Sequence, residues 1–147
     1  MKKTFVKYIL PGLIISVCGV ILVALSWLTY FGLYLGLESL FYPNNPQAFP
    51  ADTLRSSMAL ILMIIYLLIA RIRMPHILKA TLFVAPLSVF IIAIILAFYK
   101  SYLMIIVIPL ELIAIVLFVL FNTHKTWHYY FATFVAVVIA FVYGWPR

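Results

Sequence analysis

The stretch YLMIIVIPLELIAIVLFVLF, residues 102–121, holds twenty residues, and Glu111 is its only charged one. About 20 helical residues cross the ~30 Å hydrocarbon layer of a bilayer. Read alone, this segment is a transmembrane helix with one carboxyl buried in it. The same apolar character recurs along the chain. Runs at about 9–34, 54–70, 80–99 and 127–145 complete a set of five.

Composition agrees with that reading. Of 147 residues, 68% are hydrophobic and 9% charged. A soluble domain is about half apolar and a quarter charged. One small core cannot hide this much apolar surface, so lipid is the expected solvent. Each run is continuous rather than alternating, which favours helices over barrel strands of about ten residues. In hydrocarbon only these two solutions satisfy the backbone. The expected fold class is therefore all-α. It is a polytopic bundle of five transmembrane helices in a single membrane domain, residues 1–147.

The start, Met1-Lys2-Lys3 before an apolar run, is shaped like a signal peptide. The run from Ile9 to Leu35 is too long for a signal core, and no A-x-A site closes it. Val17 stands where a lipoprotein box wants a small residue. We read an uncleaved first span, with Pro11 tolerated in its first turn.

Between the first two spans, residues 36–52 carry Pro43, Pro46, Pro50 and Asn44-Asn45. That is turn chemistry, and it marks the only sizeable loop. Asp52 or Thr53 can cap the helix that follows. The other connectors are short: a basic one at 71–79, Lys100-Ser101, and Asn122 to Thr126.

Orientation follows from the basic residues. Lys2, Lys3, Lys7, Arg71, Arg73, Lys79 and Lys125 fall on one side; Arg55, Lys100 and Arg147 fall on the other. Seven against three predicts a cytoplasmic N-terminus and an external C-terminus in a plasma membrane. Trp27, Tyr30, Tyr34, Tyr99, Tyr102, Tyr143 and Trp145 gather at the outer ends, and Trp127, Tyr129 and Tyr130 at an inner one. They form two interfacial belts. The net charge of +7 thus orients helices. No basic stripe or known motif points to nucleic acid.

Glu111 is the residue hardest to explain as scaffold. An ionisable group at bilayer centre costs about 2.5–3.5 kcal/mol on insertion scales. Unpaired there, a carboxyl is expected to carry its proton. Its helical neighbours Val107, Ile108, Ala114 and Ile115 are apolar, so a partner must come from another helix or another subunit. By helical rise, Ser88 and Ser16 reach a similar depth. The acid suits a proton or cation relay, or a ligand-binding carboxyl. The plainer reading is one interhelical hydrogen bond. Pro86 and Pro109 each sit six to seven residues into consecutive spans, Pro86 counted from the inner end and Pro109 from the outer. Each frees a carbonyl, and kinks in neighbouring helices can open a cavity beside Glu111. Proline is also common in membrane helices for packing alone.

Other features are weighed against bland alternatives. Ala132, Ala136, Ala140 and Gly144 recur every four residues on the last span, and Gly32 and Gly36 form a GxxxG. Small ridges let helices approach closely, here more simply inside one chain than between copies. His124 and His128 have metal-compatible i,i+4 spacing, but no third ligand accompanies them. They read as interfacial polarity, as does His76. Glu38, Asp52, Arg55 and Lys100 surround the outer end as caps or as a charged mouth. Asp52 and Arg55 can pair three residues apart. Leu37, Leu40, Phe41 and Tyr42 can lie in the interface. Cys18 is alone, so no intrachain disulfide or paired-thiol relay is available. No cofactor or metal is called for.

The expected function is a small integral membrane subunit. It binds lipid, a hydrophobic ligand or a partner membrane protein, alone or as a homo-oligomer. The alternatives are a proton-coupled transporter of a small solute built around Glu111 and, third, a lipid-modifying enzyme. Catalysis has the weakest support, because no nucleophile, phosphate-loop or zinc signature is present and the acids and histidines are scattered.

Overall fold

A computed structural model of the chain describes residues 5–145. Lys2, Lys3 and Arg147, which enter the charge balance, lie outside the described residues. Among those described, all regular structure is helical. The five long helices are α1 (Leu10–Phe41), α2 (Ala51–Arg71), α3 (His76–Ala97), α4 (Tyr102–Asn122) and α5 (Trp127–Gly144). Each is long and apolar enough to cross a membrane. A π-helical turn, Phe5–Ile9, leads into α1, and Pro46–Ala48 forms a 3-10 turn between α1 and α2.

Short connectors force the chain to reverse at each end. Neighbour relations show the result: α1, α3 and α5 run in one direction. Tyr8 lies beside Trp127, with ring centroids 5.7 Å apart. Gly19 faces Val84, and Gly144 faces Ile92 and Ile95. Helix α3 is the centre of the bundle, packed by α5, α1 and α2, with α4 on its remaining side. Its residues Val84, Leu87, Ile91, Ile92 and Ile95 are almost wholly buried. Helices α2 and α4 are peripheral and bury little of themselves. Leu28, Phe118 and Phe121 each expose more than two thirds of their surface. An aqueous surface does not carry that much apolar area.

The loop between α1 and α2 is shorter than the sequence suggests. Helix α1 continues through Glu38 to Phe41, so Gly36 is helical and the irregular segment narrows to 42–50. Three side chains and one backbone bond explain the difference. Tyr34 and Tyr42 hold Phe49 between them at centroid distances of 5.1 and 5.7 Å, and the Tyr42 N–H donates to the carbonyl of Glu38. The expected cap on α2 is also different. Pro50 stands at the N-cap, with no side-chain hydrogen bond, and Asp52 sits inside the first turn.

Two connector details fix the other end. Lys79 Nζ donates to the Ala70 carbonyl at 2.6 Å. A cation on the last carbonyls of α2 is favourable there, and it ties α3 back to α2. Helix α4 stops in a Schellman motif. The Lys125 N–H bonds the carbonyl of Leu120, the His124 N–H bonds that of Phe121, and His124 takes a left-handed φ of 47°.

Candidate functional site

Glu111 is exposed, on the side of α4 that turns away from the bundle. The opposite side of that helix, through Ile105, Pro109 and Leu120, is buried. At 3.6 residues per turn, two residues from Pro109 to Glu111 rotate the side chain about 200°. The structure thus separates what the sequence suggested as one cavity. Pro86 is buried in α3 and borders a groove of about 140 Å³ with Leu22, Ser26 and Tyr66. Pro109 is buried on the bundle side of α4, and Glu111 faces outward.

The two serines at comparable depth are engaged elsewhere. Ser88 is fully buried and donates to the carbonyl of Val84 at 2.7 Å, with Ala136 O at 3.3 Å. Ser16 is half-buried and donates to Gly12 O at 2.9 Å. Ser26, Thr81 and Thr133 likewise bond the carbonyl four residues before them. Such back-bonding is the usual fate of a helical hydroxyl, and it leaves Glu111 to itself.

The small ridge of α5 lies inside the monomer. Ala132, Ala136, Ala140 and Gly144 are all buried. A Cβ on Gly144 would come 3.3 Å from Ile95 Cδ1. The GxxxG of α1 does the reverse: neither Gly32 nor Gly36 has anything within 4 Å of where a Cβ would be.

The Asp52–Arg55 pair is asymmetric. Asp52 and Arg55 form a salt bridge in which the carboxylate side is 84% exposed and the guanidinium side 14%. Arg55 lines a small pocket together with Ser26, Trp27, Tyr30, Met58 and Val89. Its stem covers apolar surface while its head reaches Asp52. Among the described residues its Nε has no hydrogen-bond partner. Glu38 is half-buried, and Lys100 lies over the Tyr99 ring, 5.8 Å from its centroid. The histidines do not converge. His124 is exposed in its turn, His128 stacks on Trp127 at 4.4 Å, and His76 is exposed. Among the described residues no three metal-ligating side chains cluster.

One groove was not anticipated from the sequence. It runs between α1 and α5, holds about 410 Å³, and is lined by α1 from Val20 to Phe31 together with Ile139 and Tyr143. Val23 and Ile139 form its floor, since both are buried. Leu28 and Phe31 stand out as its exposed rim. The small side chain of Ala24 gives the groove room. Eleven helical steps from Val20 to Phe31 make it about 16 Å long. The signal in the sequence is faint: alanine and valine among larger residues on one face of α1.

Fold and groove together define the class: a bundle of five helices, each able to span a membrane, with the Glu111 carboxyl exposed midway along α4. Comparison with protein-family models, with curated proteins and with solved structures finds no match to this chain.

Proposed function

We propose that the protein is a small multi-pass subunit of the cell membrane that binds one hydrocarbon chain of a lipid or lipid-like ligand in the α1–α5 groove. The groove carries this reading. Its length of about 16 Å is roughly half the hydrocarbon thickness, which matches one leaflet. Its lining is apolar, and Trp27 and Tyr143 stand toward the 42–50 end, where amphipathic rings meet headgroups. The charge asymmetry orients the protein with its N-terminus in the cytoplasm and its C-terminus outside, so the groove opens to the outer leaflet.

The test is lipid retention. Purified protein in mild detergent, weighed by native mass spectrometry, should keep one phospholipid per chain. Ala24→Trp fills the groove and should release it without unfolding the protein. Equal retention by both would refute the groove as the site. The transporter alternative gains no support from the position of Glu111, which a single copy does not enclose.

A further inference from the structure

Helix α4 presents a seam. Met104, Val107, Glu111, Ala114, Phe118 and Phe121 follow one another at alternating steps of three and four residues, and all six are exposed. That is the spacing of the contact positions of a two-helix coil. The stripe lies roughly half a turn round from Ile105, Pro109 and Leu120, which hold α4 to the bundle. Glu111 is nine residues from Tyr102 and eleven from Asn122. The carboxyl is therefore about 14–17 Å from either helix end, too far for a short side chain to reach the headgroups.

Lipid offers such a carboxyl no hydrogen-bond partner. Within the chain, the hydroxyls of Ser16, Ser26, Ser88 and Thr133 are bonded to their own helices. No Lys or Arg falls inside α4 or inside the middle turns of any other long helix. We infer that the seam is the contact between two copies of this chain, joined α4 to α4, with Glu111 of each copy facing Glu111 of the other.

The chemistry is self-complementary. Two copies inserted in the same direction are related by a two-fold axis along the membrane normal. Their α4 helices then run parallel, and the two carboxyls meet at the same depth. Each O–H donates to the other's carbonyl oxygen, so both groups are satisfied at once. A helix from another protein would need a matching polar group at that depth, whereas a second copy brings one by symmetry. Ala114, one turn from Glu111, lets the backbones approach. Phe118 and Phe121 fill the seam toward one end. A single polar residue at a contact position sets register and oligomeric state, which is the role this assigns to Glu111. The inference does not rest on the α1–α5 groove, which lies on other helices.

Cross-linking in native membrane vesicles tests it. Cys18 is exposed and is first changed to Ala. In that background, Ala114→Cys should form an oxidant-induced disulfide dimer. Leu60→Cys, on the outward face of α2, should not. Glu111→Gln should keep the Ala114→Cys cross-link, because an amide also both donates and accepts. Glu111→Leu should weaken dimerisation about tenfold, read as the concentration dependence of energy transfer between labelled copies in detergent. An unchanged thermal melt for both Glu111 variants guards against misfolding. Absence of cross-linking at Ala114→Cys in a folded protein overturns the seam. Cross-linking that Glu111→Leu leaves untouched overturns the role of the carboxyl pair.

Discussion

The Ser88 hydroxyl on α3 sits 3.3 Å from the carbonyl oxygen of Ala136 on α5, although its shorter bond, 2.7 Å, runs to Val84 of its own helix. Two helices approach this closely only because the facing residue is alanine. The Ser88–Ala136 relation therefore measures how tight the α3–α5 seam is. Ala136→Leu should cost about 1–3 kcal/mol and lower the melting temperature in detergent by several degrees. Ser88→Ala should cost less than about 1 kcal/mol, because hydrogen bonds between membrane helices are worth little on average. Equal melting of Ala136→Leu and wild type would mean that the seam adapts freely, contrary to its packing.

The glycines of α1 give an internal contrast. A Cβ on Gly19 would lie 3.0–3.2 Å from three carbon atoms of Val84, whereas one on Gly32 would meet nothing within 4 Å. Val84 is itself completely buried, so it has nowhere to move. Gly19→Ala should destabilise the protein despite the better helix propensity of alanine. Gly32→Ala should be neutral or stabilising by up to about 1 kcal/mol. Thermal melts of the two variants side by side check both signs. Loss of stability at Gly32 would show that a second molecule covers that face.

Five helices were legible in the sequence because hydropathy alone marks a segment that lipid can solvate. The inward direction of α5 was legible too, since Ala132, Ala136, Ala140 and Gly144 leave only one side on which a neighbour can come close. Glu111 was not. Helix α4 is apolar all round, so no amphipathic pattern tells which side meets the bundle. A polar residue in such a helix therefore reads as inward by default. The end of α1 was misjudged for a different reason. Glu38 and Ser39 interrupt the apolar run without interrupting the helix, and the packing of Phe49 between Tyr34 and Tyr42 is a contact across the loop that spacing does not reveal. The Lys79 bond to Ala70 similarly depends on how the connector folds.

The orientation proposed from charge is tested by fusion. A reporter placed within 71–79 should read as cytoplasmic, and one after Arg147 as external. The warrant is the excess of Lys and Arg at the N-terminus and at the two connectors on its side. Lys79 contributes twice, as a positive residue on that side and as the donor to Ala70 O. A cytoplasmic signal from a C-terminal reporter on the intact chain would contradict an odd number of spans.

His124 gives the sharpest single-residue prediction. It occupies the left-handed position of the Schellman motif that ends α4, at φ 47°. Any residue with a Cβ is strained there by roughly 1–2 kcal/mol, less for asparagine and histidine than for branched side chains. Glycine removes the strain. The side chain of His124 is exposed, and the motif itself is held by backbone bonds from His124 and Lys125 to Phe121 and Leu120. His124→Gly should therefore raise the melting temperature, by an amount equivalent to about 1 kcal/mol or less, because part of the gain is returned as chain entropy. His124→Val should lower it, since a β-branched residue fits this φ worst. The order Gly above His above Val is the expected outcome in detergent melts. A reversed order, with His124→Gly the least stable, would mean that the imidazole makes a contact worth more than the strain it imposes.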